Sequence, residues 1–187
     1  MTAVALGVGL LLSACAMPMA SHQPSLSNIE RLRKPETPKL TVGDFRLEPG
    51  KPAAMDRAVS IRGSTLVSPD GKSYALFLKE TLATELRAAG KLDTAGAIVV
   101  SGLLNESRVN AAMNVGTASL GAIFIVTRDG REVYRKPLRV EATWTSNFIG
   151  AVAIPMAMNQ YTALYSDLVG KLLDDPDFQA AVRATSP

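Results

Sequence analysis

Leu138-Arg139-Val140-Glu141-Ala142-Thr143-Trp144-Thr145 alternates one apolar or small side chain with one polar side chain. Successive side chains of a strand point to opposite faces, so a period of two describes a strand with one buried and one wet face. Just upstream, Leu120–Thr127 is a short apolar strand, and Asp129-Gly130 between the two has the chemistry of a tight hairpin. Ala97–Leu104 supplies another buried strand, and Ala58–Leu66 alternates weakly enough to predict one more. An antiparallel sheet therefore forms the centre of the fold.

Helical spacing appears on both sides of those strands. Tyr74, Phe77, Leu78, Leu82, Leu86 and Ala89 fall on one helical face, with Gly90 as a C-terminal stop. Ser68-Pro69-Asp70-Gly71 ahead of them reads as a turn. Tyr161, Leu164, Tyr165, Leu168 and Leu172 form a second apolar stripe. Asp175-Pro176 then has the order of a cap and first position for a short final helix holding Phe178. Two main helices are too few to cover both faces of a sheet. The expected fold is α+β: a twisted, mainly antiparallel sheet with two main helices packed on one face, forming a single domain over 53–187.

The first fifty residues read differently. Val4–Leu12 is an uncharged apolar run of nine, well short of the roughly 20 residues a membrane-spanning helix needs. It suits the apolar region of a secretory signal. Leu12-Ser13-Ala14-Cys15 follows at once and resembles the lipobox of bacterial lipoproteins. The resemblance implies diacylation of the Cys15 thiol, cleavage before Cys15 so that 1–14 is a signal peptide, and acylation of the new amino group. Several acyl chains on one residue give the multiple signals that stable membrane residence requires. Met1-Thr2-Ala3 has no basic residue, which points to a start further upstream. Ala16, rather than an aspartate, follows the cysteine; by resemblance to enteric lipoproteins this implies the outer membrane, with the domain facing the periplasm. Pro18, Pro24, Pro35, Pro38, Pro49 and Pro52 make 15–52 read as a lipidated, Pro-rich tether, with one short strand expected over Lys39–Phe45.

Composition narrows the function. Hydrophobic residues make up 47% and charged residues 20% of the 187, enough for a real core. The net charge of +3 is a mild basic excess. Arg31, Arg33, Lys34 and Lys39 cluster without aromatic residues to stack bases, so no nucleic-acid partner is expected. With a single cysteine the fold stands without an internal disulfide.

No catalytic chemistry assembles from the sequence. His22 is the only histidine and lies seven residues after Cys15, so neither a Ser-His-Asp arrangement nor a His/Cys metal site is expected. Glu106, Glu132 and Glu141 are the candidates for paired carboxylates of glycoside hydrolysis, and each reads better as a solvated surface charge. No cofactor is expected, and no enzymatic activity. One segment stands out: Phe148–Met158 is an uninterrupted apolar run of eleven. Two readings stand for it. It is a connection that crosses the core, or Phe148, Ile149, Val152, Ile154, Met156 and Met158 form an exposed patch for a protein partner or a lipid chain. Beside it, 111–118 reads as a flexible small-residue loop.

With lipobox, Pro-rich segment and body in order, the chain resembles small Gram-negative envelope lipoproteins. The YajG-like group is nearest, the LptE-like and transport-auxiliary lipoproteins more distant. The resemblance covers about Ala53 to Val182 and includes Val100-Ser101-Gly102-Leu103 and Asn159-Gln160-Tyr161-Thr162-Ala163-Leu164. It implies a non-enzymatic periplasmic domain: a binding or scaffold accessory subunit with an envelope protein partner, in envelope maintenance or lipid transport. A carrier of a lipid or hydrophobic small molecule is the alternative, and an envelope hydrolase a third.

Overall fold

A computed structural model describes residues 16–69 and 71–183. Cys15 and the rest of the lipobox lie outside the described residues. The described chain is α+β, as its patterning requires. β6 (Ile98–Asn110), β7 (Asn114–Arg128) and β8 (Arg131–Ser146) form a long antiparallel meander. β2 (Leu40–Leu47) pairs parallel to β6, and the two-residue β5 (Leu92–Asp93) pairs parallel to β2. The five-stranded order is β5-β2-β6-β7-β8, so the sheet is mixed at one side and antiparallel at the other. A smaller sheet joins β1 (Ala16–Pro18), β4 (Ser64–Val67) and β3 (Ala58–Ile61) in the order β1-β4-β3.

Helices α2 (Tyr74–Ala88) and α3 (Gly150–Asp174) pack on one face of the large sheet. Ser73 caps α2, its hydroxyl accepting from the Leu76 amide at 3.1 Å. Gly90, at φ +72°, ends the helix in the left-handed conformation that a side chain would resist. Tyr74, Phe77, Tyr161 and Tyr165 meet edge-on between the two helices, and all four are buried. The three tyrosine hydroxyls are all partnered: Tyr74 Oη donates to the Leu66 carbonyl at 2.6 Å, and Ser107 Oγ lies 2.7 Å from Tyr161 Oη, which lies 2.9 Å from Tyr165 Oη. Burial pushes the Tyr161 phenol up to about 12 and the Tyr165 phenol well above its ordinary value, so both act as neutral hydrogen-bonding groups. Asp175 caps α4 (Pro176–Val182) through the amides of Asp177 and Phe178.

The expected tether over 15–52 is corrected. From Ala16 onward the segment is folded into the domain: β1 pairs with β4, α1 (Leu26–Leu32) lies against α3, and β2 sits inside the large sheet. Met19, Leu32, Leu40 and Phe45 are all buried. The prolines misled because they fall at Pro18, Pro24, Pro35, Pro38, Pro49 and Pro52, at the end of β1 and in the connections, leaving the interiors of α1 and β2 free of breakers. The strand expected at Lys39–Phe45 is β2, and it runs to Leu47.

Three smaller expectations change as well. Ala58–Leu66 is a hairpin rather than one strand, turning at Arg62-Gly63 with φ of +49° and +83°. The expected loop at 111–118 is mostly strand, because β7 already begins at Asn114. The apolar run 148–158 is not a connection through the core. From Gly150 it is the start of α3, which continues past Pro155. Proline normally marks a helix end, since it removes one backbone bond and crowds the carbonyl four residues back; here it falls in the second turn of α3, whose inner face Ala153 and Ala157 hold against the core.

Candidate functional site

Two surfaces bring together the residues singled out from sequence. The first is a groove of about 610 Å³ on the sheet face turned away from α2 and α3. Ala58–Ser60 of β3 form one wall, and Glu106, Arg108, Ser119, Arg139 and Glu141 supply polar groups from β6, β7 and β8. β6 is irregular between Leu104 and Glu106, and that bulge turns Glu106 outward while Ser107 faces the helices. Arg139 Nε donates to Glu106 Oε2 at 2.6 Å, and Ser119 Oγ donates to Glu106 Oε1 at 2.7 Å. Arg139 Nη2 also lies 2.5 Å from Glu141 Oε1.

Glu106 and Glu141 thus bracket one guanidinium. The hydrogen bond from Arg139 is the largest influence on Glu106 and holds its carboxyl below the ordinary 4.5. A glycosidase acid needs the opposite shift. Glu132, the third carboxylate considered, is paired with Arg135 at the exposed start of β8, away from this groove. The charged lining suits a polar partner better than an acyl chain.

Because the Glu106 carboxyl is lowered, its contribution to stability is present above the unfolded value near 4.5 and is lost as pH falls through the lower folded value. In Arg139→Ala the Glu106 titration, followed by side-chain carboxyl NMR, is expected to move up toward 4.5, and the acid limb of the stability curve to flatten. A titration unchanged by the substitution would remove Arg139 as the cause.

The second surface is the end of the molecule where β8 runs into α3. Phe148 is 77% exposed and Ile149 59%, with Val152 also exposed; Ile154, Met156 and Met158 are half-buried against the core. The six patch residues therefore divide, because Ala153 and Ala157 on the inner face of α3 seat the helix against the domain.

A third cluster was not foreseen. Glu85 of α2 is completely buried, and its carboxyl gathers groups from three other segments. His22 Nε2 lies 2.9 Å from Oε1, the Ser25 amide donates to Oε2 at 3.0 Å, Asn28 Nδ2 donates to Oε1 at 3.2 Å, and Ser166 Oγ to Oε1 at 3.3 Å. His22, read from sequence as part of a free tether, is instead docked against this carboxyl. A signal was available: Glu85 lies seven residues after Leu78 and falls inside the apolar stripe that includes Leu82 and Leu86. Among the described residues no three metal-binding side chains converge. No helix among them is long and apolar enough to cross a membrane.

No family model and no curated protein matches the sequence. Among solved structures, the fold is similar to protein XCC0632 of Xanthomonas campestris, of the family DUF330. The TM-score is 0.56 at 12% identity, over 85% of this chain and 95% of that one. A minor lipoprotein of Acinetobacter baumannii gives a TM-score of 0.48 at 13% identity, over 79% of this chain and 96% of that one. At such identities the likeness is one of fold.

Proposed function

We propose that the chain is a lipid-anchored envelope lipoprotein whose domain faces the periplasm and serves as a non-enzymatic binding or scaffold accessory subunit. The address rests on the lipobox-like Leu12-Ser13-Ala14-Cys15, and Ala16 favours the outer membrane. The sequence phrases resemble YajG-like lipoproteins first, then LptE-like and transport-auxiliary ones. An accessory role in envelope maintenance or lipid transport agrees with that resemblance.

One observation carries the binding role. β8 is a 16-residue edge strand, with no strand beyond it among the described residues. Long unpaired edges are templates for pairing and are usually blunted. Here Pro137 and the charges from Arg131 to Arg139 blunt the first half, whereas Val140–Ser146 carries only Glu141. The partner is an envelope protein that docks along that second half and reaches the charged groove beside it.

The test places a photo-crosslinking residue at Thr143 in cells of the native host fed radiolabelled palmitate, with and without Cys15→Ser. Label on the native chain alone, and one envelope protein trapped from Thr143, are expected. Palmitate persisting on the serine variant would overturn the anchor. Recovery of only the monomer from Thr143 and from neighbouring positions would overturn the partner.

A further inference from the structure

Among the described residues eight large hydrophobic side chains are exposed, and five of them gather at one end: Met113, Val115, Phe148, Ile149 and Val152. Met113 and Val115 belong to the β6–β7 connection and the start of β7; Phe148 and Ile149 belong to the β8–α3 connection and Val152 to the first turn of α3. The register of β7 on β8 places Asn114 opposite Ser146 and Val115 opposite Thr145, so the two connections are neighbours.

This end is held rigid by Arg62. In the β3–β4 turn its backbone has φ +49°, a conformation costly for a long side chain. Its guanidinium spans both connections. Nε donates to the Ala111 carbonyl at 2.6 Å, Nη1 to the Phe148 carbonyl at 3.0 Å, and Nη2 to the Asn147 carbonyl at 2.8 Å and to Ser146 Oγ at 3.3 Å. Asn147 Oδ1 in turn accepts from the Ile149 amide at 2.7 Å. The apolar side chains are therefore presented on a fixed frame, and the Arg62 guanidinium is taken up by three backbone carbonyls and Ser146 Oγ. The sequence around it is free of charge: 109–127 and 142–166 contain no Asp, Glu, Lys or Arg.

The chain also enters the described fold here. Ala16 pairs with Thr65, three residues from Arg62, and β1 runs parallel to β4, away from the turn. Cys15 is the next residue back in sequence. One strand spacing and a tight turn put Ala16 within roughly 10 Å of the Arg62 backbone. The far end of the meander is different in character. Some 15 residues along β7, about 45 Å away for an uncurled strand, the β7–β8 turn is flanked by Arg128, Asp129, Arg131 and Glu132.

We propose that this apolar end is a membrane-docking face, seated in the surface of the same bilayer that holds the Cys15 acyl chains. The proposal rests on the lipid-anchor reading of Cys15 and adds an orientation to it. With both signals at one end, the meander stands away from the membrane, and its charged turn and the first half of β8 project into the aqueous space. A bilayer is favoured over a protein by three features together: the uncharged sequence around the patch, its exposure on a fixed frame, and its nearness to Ala16, which follows Cys15 in sequence.

The acylated full-length product, purified and reconstituted into phosphatidylethanolamine–phosphatidylglycerol vesicles, tests this. Its Cys15 sulfur is consumed as a thioether, so Met113→Cys, Phe148→Cys and, at the far end, Val133→Cys each offer one thiol for an environment-sensitive dye. Quenching by nitroxide-labelled lipid is expected to be at least about threefold stronger at 113 and 148 than at 133. Adding Phe148→Asp to the Met113→Cys chain is expected to return the dye to aqueous emission with circular dichroism unchanged. An acylated protein quenched equally at all three positions would overturn the docking face and leave the anchor standing. A free Cys15 thiol in the mass of the N-terminal peptide would overturn the anchor and the proposal with it. Dye–dye self-quenching that survives dilution into excess lipid would assign the face to a second copy and also overturn it.

Discussion

Glu85→Ala is expected to destabilise the domain by about 3–5 kcal/mol, as measured by urea unfolding. Glu85 is fully buried, and its two oxygens accept from the Ser25 amide, Asn28 Nδ2 and Ser166 Oγ, with His22 Nε2 alongside. Removing the carboxyl strands several buried or half-buried donors, each costing about 1–3 kcal/mol when unsatisfied. Partial entry of water into the vacated space keeps the total below the sum. A domain of ordinary stability holds only about 5–15 kcal/mol, so the variant would be close to its limit. The loss should also be regional. Amides of α1, such as Ile29 and Arg33, are expected to exchange hydrogen much faster, while those of β7 stay protected. Glu85→Gln should fall between, since its amide nitrogen cannot accept from the Ser25 amide, which lies within 3.1 Å of both carboxyl oxygens. An unfolding midpoint in Glu85→Ala equal to that of the native chain would remove Glu85 as the organiser of this region.

Gly102→Val is expected to destabilise by about 3 kcal/mol, although valine favours strands and glycine does not. A Cβ at position 102 would meet Phe45 Cδ1 at 2.5 Å, inside van der Waals contact. Phe45 is buried and packs edge-on to Phe124, with ring centroids 6.2 Å apart. β2 and β6 pair at Phe45 and Gly102, so the ring lies over the glycine as a substitute for its side chain. Valine would force that ring out and loosen the parallel pairing. Combining it with Phe45→Ala should cost less than the sum of the two single changes, by about 1–3 kcal/mol in a double-mutant cycle. A Gly102→Val chain as stable as the native one would show that the ring moves aside freely.

What could be read from the sequence was what depends on local period. The alternation from Leu138 to Thr145 is the β8 strand, with Leu138 and Trp144 buried and Arg139, Glu141, Thr143 and Thr145 exposed. The α2 stripe and its Gly90 stop, the Asp129-Gly130 hairpin and the Asp175 cap are equally local, each needing only a few neighbouring residues. What escaped depends on partners far along the chain. β2 takes its place through parallel pairing with residues 92–93 and 99–104, which no local pattern announces. The 16–52 segment looked like a spacer because its composition is Pro-rich, yet α1 is fixed by Glu85, Ser166 and Asp174. The start of α3 was hidden inside the apolar run 148–158, whose lack of polar residues leaves no helical period to read until Tyr161, although Ala153 and Ala157 already pack inward. Phe148, Ile149 and Val152 were legible as a candidate patch, whereas Met113 and Val115 join it only through the β7–β8 register. Arg62 gave no signal, since its role lies in carbonyls about 50 and 85 residues away.

The N-terminal clasp has a kinetic consequence. During synthesis residues 16–47 emerge before the elements they pack on, and α1 is completed by Asn28 reaching Ser166 and Arg31 reaching Asp174, contacts spanning 138 and 143 residues. Until the last helices have been made, α1 lacks the Ser166 and Asp174 groups that complete its seat. Such distant closures slow folding and leave unpaired strand exposed to aggregation. The N-terminal segment is therefore among the last parts of the domain to be fixed, and the clasp closes only once α3 is complete.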